Sequence, residues 1–296
     1  MATAAPAIRA RKGDGSRLVM VTAYDAPSAR IADDAGVDVI LVGDSVGMVV
    51  LGYEDTLAVT VDDMVHHTAA VARARPGALV VADMPWMSFH VSREDTVRNA
   101  AALVRAGAGA VKLEGGRKRL EAISAILDAE IPVMGHLGLT PQSVHALGGY
   151  KVQAKEFDAA RALVDDAVAL ADVGCFSIVL ECVPDAVASR VTEAVPVPTI
   201  GIGAGASCDG QVLVFHDLLG LTHGRAPKFV RRYASLAEEA TAAVAHYAED
   251  VRAGRYPSEA ESYRFPDPVA PEVAKVAGVA GEPDVAVNGL YQAASA

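Results

Sequence analysis

Short runs dense in Val, Ile, Leu and Ala recur along the chain, and the stretches between them carry apolar positions at helical spacing. Eight such runs stand out: Leu18–Ala23, Val37–Asp44, Ala78–Met84, Ala110–Gly115, Ile131–Gly138, Ser177–Pro184, Pro198–Ala204 and Gln211–Leu218. Strands that are apolar almost throughout are buried on both faces, as in a parallel sheet covered by helices. The intervening segments carry helix start signals. Thr60 with Asp63, and Ser92 with Asp95, fit the Ser/Thr-x-x-acid capping pattern. After Ser92, the residues Val97, Ala101 and Val104 keep helical spacing, and Gly107 marks the expected end. Asp158–Asp172 and Ala234–Ala253 read as Ala-rich amphipathic helices. Alternating β and α units predict an α/β fold, a (β/α)8 TIM barrel, with an open doubly wound sheet as the alternative.

Two stretches break the alternation. Leu139–Phe157 is long and rich in Gly, Gln and Ser, and loops of that length in compact domains are functional or disordered. From Pro266 to Ala296 the chain is rich in Pro, Ala and Gly without a period, which predicts a mobile extension. The expected organisation is thus one catalytic barrel over residues 1–265 and a tail over 266–296.

Composition narrows the class. The chain has 296 residues, 52% of them hydrophobic, and a formal charge of −11. Length alone would allow two domains, but α/β barrels use about 250 residues as one. The acidic balance argues against nucleic acid, which asks for a clustered basic face. No apolar run approaches the roughly 18 residues a membrane span needs. The N-terminal stretch has arginines but no apolar core, so it is not a secretory signal. Cys175, Cys182 and Cys208 form no Cys-x-x-Cys pair, which fits a reduced cytoplasm.

A barrel places its active site at the C-terminal ends of its strands. Those ends carry Asp44 and Ser45, Asp83, Lys112 and Glu114, His136, and Glu181. Strand alternation puts Lys112 and Glu114 on one face, and Val179 and Glu181 on one face against Ile178 and Leu180. One carboxylate at a strand end is ordinarily a helix cap or a surface ion pair. Four on neighbouring strands repel one another unless a cation, a proton or the lysine separates them. A hard cation on carboxylate oxygens, Mg²⁺, is the economical solution, and no His/Cys set for zinc is present. His66 and His67 lack metalloprotease spacing and read as a packed or solvated pair, whereas His136 is placed to bind or orient substrate. Gly201-Ile-Gly-Ala-Gly205 lacks the dinucleotide spacing and reads as a tight turn beside a ligand. Cys182, next to Glu181, is expected to face away into the core. A divalent metal beside a free carboxylate suits proton abstraction next to a carbonyl, that is, enolate chemistry on a small oxo acid.

Read as strings, VTAYDAPSAR, VGDSVG, VVADMPWMSF, AVKLEGG, GHLGLTPQS, VLECVP and TIGIGAG resemble the ketopantoate hydroxymethyltransferase family in order, from about Leu18 to about Phe265. The resemblance implies Asp44, Asp83 and Glu114 at a Mg²⁺ site, and Asp44, Ser45, Asp83 and Lys112 as oxo-acid contacts. It also implies Glu181 as proton acceptor and His136 near the substrate. The implied co-substrates are 3-methyl-2-oxobutanoate and 5,10-methylenetetrahydrofolate, and the implied assembly is a homo-oligomer, a decamer. Trp86, Phe89, Tyr53 and Phe215 depart from the family's usual residues, which bears on the folate pocket or subunit contacts. Two rivals are a barrel lyase of the isocitrate lyase/phosphoenolpyruvate mutase type, whose lyases carry a Lys-Lys-Cys-Gly-His string absent here, and a catalytically silent binding barrel.

Overall fold

Eight parallel strands close on themselves in chain order, β1 pairing with both β2 and β8. They are β1 Leu18–Thr22, β2 Val39–Val42, β3 Leu79–Asp83, β4 Ala110–Glu114, β5 Val133–Gly138, β6 Ser177–Glu181, β7 Thr199–Ile202 and β8 Gly210–Leu213. The closed (β/α)8 barrel is therefore realised, and the open sheet is not. This computed structural model describes residues 3–263 apart from 223 and 225. The stretch read as a tail, 266–296, lies outside the described residues.

Two compact units can be distinguished, Met1–Ala237 and Glu238–Ala296. The first is the barrel. Of the second, the described part carries most of helix Leu236–Arg252, and Arg255 pairs there with Asp250 at 2.7 Å.

The helix signals hold. Thr60 and Asp63 form a reciprocal capping box at the start of helix Val61–Ala72. Ser92 accepts from the Asp95 N–H and opens helix Arg93–Arg105. Asp158–Asp172 lies within helix Phe157–Val173. The eighth strand is shorter than its apolar run, because Phe215–Leu219 turns into a short helix that an unbroken apolar pattern cannot distinguish from strand.

Strand alternation divides the core in two. Val80, Val111, Leu113, Ile178 and Leu180 pack outward against the helices. Met20, Leu41, Val81, Met134, Val179 and Ile200 fill the barrel interior. Ala5 and Ile8 of helix Ala5–Arg9 join that interior cluster, so an N-terminal helix packs into the barrel's own core.

Candidate active site

Strand register brings the charged residues together before any loop is considered. Asp83 is the Cα partner of Lys112, Glu114 of His136, and Gly138 of Glu181. In β3 and β4 the inward positions end in polar residues: Leu79, Val81, Asp83, and Ala110, Lys112, Glu114. Below them the barrel is apolar, and these last inward positions are where the polar groups begin.

Lys112 Nζ lies 2.7 Å from Asp83 Oδ1, and both side chains are about 95% buried. Asp83 Oδ2 also accepts the backbone N–H of Asp44 at 3.1 Å, which fixes the turn after β2. His136 occupies the centre. Its Nδ1 lies 3.4 Å from Lys112 Nζ and 3.5 Å from Glu114 Oε1, and its Nε2 lies 3.3 Å from Glu181 Oε2. Ser45 Oγ is hydrogen-bonded to the hydroxyl of the buried Tyr24 at 2.8 Å. Every site residue expected from the sequence is thus at one rim.

The electrostatics follow from this crowding. Burial, with Asp83 and Glu114 nearby, holds the Asp44 carboxyl well above the usual carboxylate range. Burial also raises Asp83, although Lys112 pulls in the other direction. Lys112 is raised because the carboxylates around it outweigh its own burial. For His136, burial and Lys112 favour the neutral ring, but Glu114 and Glu181 prevail and lift it to about 9. Asp44, Asp83 and Glu114 are three hard oxygen donors, and the upward shift of Asp44 marks a place where a cation can replace a proton. That donor set fits a hard divalent cation. Among the described residues no three His, Cys, Asp or Glu side chains form a ready metal cage. Mg²⁺ characteristically binds through one or two carboxylates and keeps water and substrate oxygens for the rest.

The cluster lines a cavity of about 510 Å³. Ile202, Val212, Val214 and Phe229 add apolar lining, and Asp217 and Lys228 line it too. Leu139, Pro141, Tyr150 and Val152 line it as well. The loop after β5 therefore borders the cavity, and it is ordered by the turn Pro141–Ser143 and the short helix Val144–Leu147.

Some expectations are corrected. Cys182 does not sit in the core: its φ of +46° interrupts the alternation, so both Glu181 and Cys182 line the cavity. The glycine turn is as tight as read, since a Cβ on Gly203 would stand 2.8 Å from the Phe229 ring. His67 Nδ1 bonds the Tyr24 carbonyl at 2.7 Å, a packing role. Trp86, Phe89, Tyr53 and Phe215 are not among the residues lining the cavity. Sequence reasoning missed Tyr24 and Gln142, which carry no charge and are visible only as members of VTAYDAPSAR and GLTPQS.

The family model of ketopantoate hydroxymethyltransferase matches residues 2–259. The chain belongs to that family. It is 57% identical over 269 residues to 3-methyl-2-oxobutanoate hydroxymethyltransferase 2 of Bradyrhizobium diazoefficiens, covering 91% of this chain and 92% of that one. It is 58% identical to the 3-methyl-2-oxobutanoate hydroxymethyltransferase of a Methylobacterium species, covering 89% and 92%. Among solved structures it resembles the phosphoenolpyruvate phosphomutase of Streptomyces platensis subsp. rosaceus, with a TM-score of 0.57 at 16% identity and coverage of 93% and 96%. A phosphonopyruvate hydrolase in complex with oxalate and Mg²⁺ matches at the same TM-score of 0.57 and 16% identity, covering 92% and 96%. At such identities the likeness is one of fold. No helix among the described residues is long and apolar enough to cross a membrane.

Proposed function

We propose that this chain transfers a hydroxymethyl group from 5,10-methylenetetrahydrofolate to 3-methyl-2-oxobutanoate, giving 2-dehydropantoate and tetrahydrofolate in pantothenate synthesis. The observation that carries the reading is the convergence of Asp44, Asp83, Lys112, Glu114, His136 and Glu181 on one cavity that Ile202, Val212 and Val214 also line. Asp44, Asp83 and Glu114 are the residues to hold Mg²⁺, which when bound supplies positive charge where the enolate's negative charge develops. Lys112 adds a fixed cation at the same place. Ser45, oriented by Tyr24, and Asp44 and Asp83 hold the oxo-acid head.

Glu181 takes the proton from C3 of the oxo acid. The carboxylate that must meet substrate is also the least buried of the cluster, 16% exposed against 5% or less for Asp83, Glu114 and His136. His136 Nε2 faces Glu181 Oε2 and orients it. Water adds to the folate methylene carbon as both of its C–N bonds break, so tetrahydrofolate leaves and the carbon remains at the formaldehyde level. The C3 carbanion bonds that carbon, and its oxygen takes the proton back from Glu181. A cytoplasmic location goes with this reading, since three cysteines without a Cys-x-x-Cys pair fit a reducing compartment. The family resemblance extends to a homo-oligomer, a decamer, which light scattering tests.

The experiment is product analysis by mass spectrometry with both substrates, in Mg²⁺ and then in EDTA. We expect 2-dehydropantoate with Mg²⁺ and none after chelation. A folded protein that makes no product with Mg²⁺ present overturns the activity in favour of a silent barrel. Product undiminished by EDTA overturns the metal.

A further inference from the structure

Gln142 bonds two carboxylates of the cluster, Asp44 and Glu114, without carrying a charge. It lies in the turn Pro141–Ser143 after β5 and is 7% exposed. Its backbone N–H donates to Glu114 Oε2 at 3.0 Å. Its side-chain Nε2 donates to Asp44 Oδ2 at 2.8 Å and to the carbonyl of Met84, the residue after Asp83, at 3.0 Å. The Met84 carbonyl can only accept, and Asp44 accepts when ionised, so the amide has one orientation: flipped, it would set oxygen against two oxygens. Its Oε1 is buried with no hydrogen-bond partner among the described residues.

Carboxylates that share a site swing apart unless donors occupy some of their lone pairs. A neutral donor does this without competing with a cation, as a second lysine would. Residues that orient metal ligands typically contribute 10–100-fold to metal affinity. We propose that Gln142 is the positioning residue of the metal site, its side-chain amide aiming Asp44 and its backbone N–H aiming Glu114. This rests on the reading of the cluster as a divalent-cation site.

The test uses the full-length protein and Mn²⁺ alone as the probe, with free Mn²⁺ followed by electron paramagnetic resonance. Gln142→Met keeps the length and burial of the side chain and leaves the backbone N–H to Glu114, but removes the amide from Asp44. It is expected to bind Mn²⁺ about 10–100-fold more weakly than the wild type. With Mg²⁺ subsaturating, its KM for the oxo acid should rise while its KM for the folate stays the same. If Gln142→Met does not fold, Gln142→Asn takes its place, keeping a buried amide withdrawn by one methylene. A variant that melts lower yet binds Mn²⁺ as tightly as the wild type overturns the assignment, leaving Gln142 a tie between loop and barrel. A wild type that binds no Mn²⁺ overturns the metal site and the positioning role together, an outcome distinct from the first.

Discussion

Glu181 and Cys182 show how much one backbone angle decides. Alternation along β6 correctly sends Glu181 inward with Val179. The same rule sends Cys182 outward and fails, because alternation ends where φ becomes positive. No sequence pattern announces a left-handed cysteine. Replacing Glu181 by Gln keeps shape and removes the base, so kcat should fall about 10²–10⁴-fold. Mn²⁺ affinity should stay close to wild type, since Glu181 is not among the proposed ligands. Unchanged turnover would remove Glu181 from the mechanism. The charged members of the site were legible because a charge at the end of an apolar strand is conspicuous. Tyr24 and Gln142 were not, because their function lies in where an uncharged hydroxyl or amide points, which depends on contacts 21 and 98 residues away in the chain.

At the scale of elements, the strand ends are held by close packing. Gly138 ends β5 with φ +91°, and a Cβ there would run into the carbonyl oxygen of Glu181. Gly138→Ala meets both a forbidden angle and a neighbouring backbone, so it should destabilise by more than about 1 kcal/mol. It should also displace the Glu181 carboxylate. Denaturant melts and kcat on the folded fraction check the two effects separately. The short helix Phe215–Leu219 carries a different signature. His216 packs on Tyr24, with ring centroids 5.5 Å apart, and burial lowers its pKa below the ordinary 6.5 despite Asp25 and Asp217. The unfolded chain therefore binds the proton first as pH falls. Stability is complete above about 6.5 and declines as pH drops toward the folded value. Melting temperatures between pH 7.5 and 5.5 should fall more steeply for the wild type than for His216→Phe, and equal slopes would refute the assignment. Element boundaries were legible where caps wrote them, as at Thr60 and Ser92. They were blurred at β8, where an apolar run passes from strand into helix without a polar break.

For the molecule as a whole, eight strands in order were readable from hydrophobic runs alone, because burial on both faces leaves few polar positions. The N-terminal helix was not. Residues 1–17 hold no long apolar run, and only Ala5 and Ile8 of helix Ala5–Arg9 reach the barrel interior. Lys12 and Arg11 then tie the segment to Asp209 at 2.8 Å and Asp38 at 3.0 Å. Ile8 is 1% exposed, so Ile8→Ala should cost about 2–5 kcal/mol, read as a lower denaturation midpoint with kcat preserved at 25 °C. A midpoint equal to wild type would show that the barrel closes without it.

The cavity's mixed lining has a further consequence. The charged cluster stands at the ends of β2–β6, while Ile202, Val212 and Val214 add apolar surface from β7, β8 and the residue after it. A branched oxo acid can leave its polar head on the first set and shed water from its methyl groups against the second. Because C3 carries two equivalent methyls, attack from either side gives one and the same product, and the pocket is left to choose acceptors by girth alone. Trimming Val212 or Ile202 would admit bulkier acceptors, read as turnover of longer 2-oxo acids.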